Sequence, residues 1–150
     1  MAEIRVMLAS DIAAAQELWR NTEGMGLSRS DSAEGLNAFL EHNPGLSRVA
    51  MLEGRLVGTA LCGHDGRRGM LYHVAVDAAC RGQGLGRALV RSCLEALAAA
   101  GIGRCHLFVF NSNRGGLAFW QHEGWERRDD LTVFSCDTPA GLPSRAATGP

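Results

Sequence analysis

Three glycines alternate at Gly82, Gly84 and Gly86, flanked by Arg81 and Arg87. Without a Cβ, the backbone can curl and present successive N–H groups to one point. An apolar segment, Leu71 to Val76, precedes the run. A segment with helical periodicity follows it through Leu85, Leu89, Val90, Cys93, Leu94 and Leu97. A glycine loop between a strand and a helix N-terminus offers unpaired N–H donors and the positive end of the helix dipole, which is a setting for a pyrophosphate. The two arginines add charge for it. Two nucleotide-binding patterns fit poorly. A dinucleotide fingerprint requires the loop after the first strand and an acid about 20 residues on. Here the loop lies past mid-chain, Glu95 is too near and Glu123 too far. A Walker loop requires lysine, and all 15 basic residues are arginine.

Residues able to move protons lie just upstream. Tyr72 is the only tyrosine, and His73 follows it. In a regular strand Tyr72 shares a face with Val74 and Val76, and His73 points to the other; a β-bulge would change this. Histidine titrates near neutrality and suits a general base. Asp65, Glu23 and Asp31 are acids that could meet a cationic amine, although Asp65 also reads as a turn residue in His64-Asp65-Gly66. The five cysteines have no Cys-x-x-Cys spacing, and the histidines have no ligand spacing, so no metal is expected.

The elements that must position these groups follow from periodicity. Ile4, Val6 and Leu8 alternate as a first strand. Ile12, Ala15, Leu18 and Trp19 mark a helix, as do Leu36, Phe39 and Leu40 before Asn43-Pro44-Gly45. Val49 to Leu52 and Leu56 to Cys62 form a hairpin across Glu53-Gly54-Arg55. Met70 to Val76, Cys105 to Phe110 and Leu131 to Cys136 read as further strands. Asn113 caps a helix carrying Leu117, Phe119 and Trp120. The strand, long helix and strand around the glycine loop imply a right-handed crossover and a parallel pair. The chain is therefore read as one α+β domain over residues 1–137, with a C-terminal tail at 138–150.

Bulk properties exclude several classes. A length of 150 residues fits one core. A net charge of −1 argues against a broad nucleic-acid surface. No apolar run approaches the roughly 20 residues of a membrane span. The start, MAEIRVM, has no apolar signal core, so a cytoplasmic location is expected.

Val74-Ala75-Val76, four residues, Arg81-Gly82-Gln83-Gly84-Leu85-Gly86 and then Leu89 resemble the acetyl-CoA motif of the GCN5-related N-acetyltransferase (GNAT) family. Asn113, Ala118, Phe119-Trp120 and Gly124-Trp125 are similar to its second motif, with shifted spacing and exchanged aromatics. Asp65-Gly66-Arg67-Arg68-Gly69 with Tyr72-His73 resembles the bacterial YpeA-like subgroup. The resemblance implies a GNAT-like fold, a mostly antiparallel sheet with a central, splayed parallel pair and flanking helices. It implies acetyl-CoA as co-substrate, with pantetheine along Val74, Ala75 and Val76 and pyrophosphate on amides from Gln83 to Arg87. Asn113 and Trp120 would contact the cofactor. A small-molecule or peptide amine would be acetylated directly in a ternary complex, and sheet edges could pair into a homodimer. The family often places a tyrosine as acid where Trp120 stands, and indole cannot protonate a thiolate near neutral pH. Rival readings are a non-catalytic acyl-CoA sensor and an interaction module of the same fold.

Overall fold

The computed structural model describes residues 2–141. The expected tail falls mostly outside these residues. Strand β1 (Glu3–Val6) leads through a 3-10 turn into helix α1 (Ile12–Arg20), and helix α2 (Ala33–His42) follows. Then come strands β2 (Arg48–Leu52), β3 (Arg55–His64) and β4 (Gly69–Val76), helix α3 (Leu85–Ala99), strand β5 (Cys105–His106) and helix α4 (Arg114–His122).

The five strands form one sheet in the order β1-β2-β3-β4-β5. All neighbours are antiparallel except β4 and β5, which are parallel. This is the mixed sheet with an internal crossover that the element order predicts. The β2–β3 turn has two residues, Glu53 and Gly54, both at positive φ, which matches the twist of the flanking strands. In the β3–β4 turn, Asp65 Oδ1 accepts the N–H groups of Arg67 and Arg68 at 2.8 and 2.9 Å.

Helices cover both faces of the sheet. Ile12, Ala15, Leu18 and Trp19 of α1 and Leu36 of α2 pack with Val49, Leu56, Leu61 and Ala75 on one face. Leu89, Val90, Cys93 and Leu97 of α3 pack with Val57, Ala60, Cys62 and Leu71 on the other. The apolar residues thus fall at the helical and strand periods that drive their burial. Among the described residues, no helix is long and apolar enough to cross a membrane.

Two expected strands differ. Cys105 to Phe110 is paired only at Cys105 and His106, opposite Gly69 and Met70. Leu131 to Cys136, rich in strand-favouring residues, has no strand pairing among the described residues, and Phe134 is 93% exposed. Residue type permits a strand, but a ladder needs a partner backbone, and β5 has only two paired residues.

Candidate functional site

The glycine run lies where β4 hands over to α3, and its glycines have different reasons to be glycine. Gly82 and Gly84 have φ of +78° and +80°, a region costly for residues with a Cβ. A Cβ at either would meet no atom of the described residues within 4 Å, so open space lies in front of this backbone. At Gly86 a Cβ would lie 3.2 Å from the Phe119 ring, so this glycine lets α4 approach α3. Gly84 is the N-cap of α3, and the first helical bond runs from Ala88 N–H to Gly84 O at 3.0 Å. The N–H groups of Leu85, Gly86 and Arg87 precede that bond and lack an intrahelical acceptor.

The arginines beside the loop are held differently. Arg81 Nε donates to Val76 O at 3.2 Å, tying the loop to the end of β4. Arg87 is committed to Glu123 by Nε and Nη2 at 3.1–3.2 Å, so a phosphate would have to compete with that carboxylate.

Beyond Met70, β4 has no partner on the β5 side among the described residues. Asp77 N–H turns inward to Val57 O at 2.8 Å, while Val76 O is met from outside by Arg81. The open edge from Leu71 to Val76 therefore leads to the glycine loop. Val74 and Val76 pack toward the α3 core, whereas Ala75 is buried against the α1 and α2 core, leaving its backbone as the part able to meet a ligand.

The ladder between β3 and β4 contains a bulge. Thr59 pairs with Ala75 and Leu61 with Tyr72, so Ala60 faces both His73 and Val74. His73 takes φ +48°. This corrects the expected facing of Tyr72. Its ring meets Phe39 edge-on at 5.9 Å, on the α1 and α2 face, because the extra residue breaks the two-residue period before Val74. His73 lies on that same face, its ring centroid 4.6 Å from that of Trp19.

The His73 imidazole is tightly framed. Nε2 lies 2.8 Å from Asp31 Oδ1. A carboxylate only accepts, so Nε2–H donates, and in the neutral imidazole Nδ1 is the nitrogen with the lone pair. Among the described residues Nδ1 has no hydrogen-bond partner. Asp31 Oδ2 accepts Ser28 N–H at 2.9 Å, and Asp31 O accepts Gln16 Nε2 at 3.0 Å. The Asp31 carboxylate is thus engaged on both oxygens. A cavity of about 200 Å³ lies beside it, walled in part by Gln16, Trp19, Leu27 and Ser28.

The remaining expected residues fall around this centre or away from it. Tyr72 is 41% exposed. Burial pushes its phenol above the ordinary value. Asn113 Oδ1 caps α4 by accepting Gly116 N–H at 2.9 Å. Its side chain also bounds the space beside Gly24, as Phe110 does beside Gly26, so the loop after α1 reaches the open end of the sheet. Trp120 is stacked edge-on with Phe119 and Trp125 at 4.9 and 4.8 Å, a packing role visible in the structure. Asp65 is occupied by its own turn, and Glu23 is exposed. Gln83 and Leu85 flank the left-handed Gly84.

Sequence reading missed Thr59. It is fully buried, accepts Trp19 Nε1–H at 2.9 Å and donates Oγ1–H to His73 O at 2.7 Å. The available signal was a lone hydroxyl in an otherwise apolar strand. The cysteines are free thiols. Burial holds the Cys105 thiol up at about 12. Hydrogen bonding to Cys62 and burial raise that of Cys93 further. Neither is a ready thiolate nucleophile. Among the described residues, no group of three or more His, Cys, Asp or Glu could hold a metal ion.

Comparison with known proteins agrees with this architecture. The family model described as "Acetyltransferase (GNAT) family" matches residues 12–125. An acetyltransferase of Pectobacterium atrosepticum is 31% identical over 133 residues, spanning 87% of this chain and 92% of that protein. The crystal structure of a Trypanosoma brucei acetyltransferase superposes with a TM-score of 0.67 at 25% identity, covering 91% of this chain and 100% of that one. The PaiA N-acetyltransferase of Thermoplasma acidophilum, solved with coenzyme A, gives a TM-score of 0.71 at 19% identity over 84% of this chain and 90% of that one. The chain belongs to the GNAT family of acetyltransferases.

Proposed function

We propose that this protein transfers an acetyl group from acetyl-CoA to a primary amine by direct transfer in a ternary complex. The observation that carries the reading is continuity: the free edge of β4 runs from the His73 bulge to the Gly82–Gly86 loop. The residues fit the cofactor. Open space fronts Gly82 and Gly84 where side chains would intrude, and the first-turn amides of α3 lack intrahelical acceptors. Backbone groups of Val74 and Val76 would hold the pantetheine arm, amides from Gln83 to Arg87 the pyrophosphate, and Arg81 would add charge. Acetyl-CoA supplies the thioester whose C–S bond is exchanged for the C–N bond of the amide.

The chain's own contribution is proton handling. His73 Nδ1 takes the proton of the incoming amine, while Asp31 fixes the Nε2–H tautomer and supports the imidazolium. Tyr72 lies on the same face, and its phenol, raised by burial, is protonated throughout the neutral range. It is the group assigned to donate to the departing sulfur. Such acid–base assistance is worth about 10²–10⁴-fold. The acceptor is a small-molecule or peptide amine reaching the site from the α1 and α2 side, where His73 and the cavity beside Asp31 lie.

The test is release of free CoA thiol across a panel of primary amines. Amine-dependent release above acetyl-CoA hydrolysis supports the transferase. Binding of acetyl-CoA without amine-dependent release would identify a sensor instead.

A further inference from the structure

We infer that Thr59 and Trp19 are positioning residues for the acyl transfer, acting as a clamp that holds the His73 bulge in its left-handed conformation. The inference rests on the reading of His73 as the base. A histidine at φ +48° is strained and persists only when its surroundings over-determine it. Here they do so through one directed chain. Indole N–H can only donate, so Trp19 Nε1 gives its proton to Thr59 Oγ1 at 2.9 Å. The Thr59 hydroxyl then has its own proton for His73 O at 2.7 Å. The donor sequence Trp19 to Thr59 to His73 has one possible direction.

The clamp reaches from the helix to the strand it orients. Trp19 is 1% exposed and Thr59 fully buried, so no water competes at the hydroxyl. The same indole that donates to Thr59 also lies against the imidazole at 4.6 Å with a 53° tilt. Asp31 meets the far nitrogen of that ring. The residue is therefore held at three places: its backbone carbonyl, one face of its ring and Nε2. The ladder does not itself need a hydroxyl at position 59. Thr59 pairs with Ala75 through backbone groups, and valine has the shape of threonine and a comparable preference for strands. What valine lacks is the means to hold the His73 carbonyl.

The experiment compares Thr59→Val, Thr59→Ser and His73→Gln with wild type. Ring ¹⁵N NMR of His73 in the substrate-free protein reads the tautomer, and steady-state kinetics read kcat and both KM values. Thr59→Val is expected to turn a single Nε2–H tautomer into a mixture. Its kcat should fall by up to about 100-fold, as for a misplaced catalytic group, while the KM for acetyl-CoA is retained. Thr59→Ser should restore both. If Thr59→Val does not fold, Thr59→Ala replaces it with the same expectation. A valine or alanine variant with wild-type tautomer and wild-type kcat would overturn the clamp. Wild-type kcat in His73→Gln overturns the base reading instead. The tautomer measurement requires no turnover, so the two failures are distinguishable.

Discussion

His73 Nε2 sits 2.8 Å from Asp31 Oδ1, although the two residues are 42 positions apart in sequence. The contact joins β4 to the 3-10 turn before α2, across the face that α1 and α2 cover. Asp31, expected to meet a cationic acceptor, has both carboxylate oxygens engaged within the protein. Its role in the proposed reaction is to orient the imidazole.

The glycine loop predicts a separation of binding from folding. Gly84 has φ +80° and open space at its Cβ position. Gly84→Val should cost about 1–2 kcal/mol of stability from the left-handed backbone, leaving a folded protein. The new side chain would occupy the phosphate space, so acetyl-CoA should no longer raise the melting temperature or release heat in calorimetry. Retained affinity in a folded Gly84→Val protein would contradict the phosphate cradle.

Tyr72 predicts a pH dependence with a definite sign. Burial raises its phenol above the usual value, so the proton is retained as pH rises through the ordinary phenol range. It is lost only above that range. Tyr72→Phe should lower kcat by about 10²-fold or more if the hydroxyl is the acid, with little change in the KM for acetyl-CoA. An alkaline loss of wild-type activity assigned to Tyr72 must lie above the ordinary phenol range. Unchanged kcat in Tyr72→Phe would remove it from the reaction.

The start of α1 predicts acid sensitivity. Asp11 is buried and takes Arg5 at 2.8 and 2.9 Å, as well as Leu8 N–H at 2.7 Å. The Arg5 hydrogen bond, opposed by desolvation, holds its carboxyl below the usual value. Because the folded form is the stronger acid, the stabilisation is present above the ordinary carboxylate range. It is lost as pH falls through the depressed value. Asp11→Asn should cost about 1.5–3 kcal/mol at neutral pH, the scale of hydrogen bonds to charged groups. Urea unfolding across pH should show the gap from wild type closing in acid. A gap that persisted there would contradict the assignment.

Much of this site could be read in the chain because its signals are local. Gly82, Gly84 and Gly86 between an apolar strand and a periodic helix mark the loop, and Leu89, Val90, Cys93 and Leu97 mark the face of α3. Ile12, Ala15, Leu18 and Trp19 mark that of α1 in the same way. The facing of Tyr72 was not legible, since nothing in Leu71-Tyr72-His73-Val74 signals a positive φ at His73. That conformation depends on Thr59 and Trp19, which are distant in sequence. The pairing of His73 with Asp31 is tertiary for the same reason. Leu131 to Cys136 shows the converse limit: its residues favour a strand, but a ladder depends on an available edge.

The most direct test of the account is CoA release with an amine panel, run on wild type and His73→Gln at equal acetyl-CoA saturation. Amine-dependent release by wild type is expected, with a fall of about 100-fold or more in His73→Gln and acetyl-CoA affinity unchanged. No amine-dependent release by wild type would contradict the transferase reading, and equal rates in the two proteins would contradict His73 as its base.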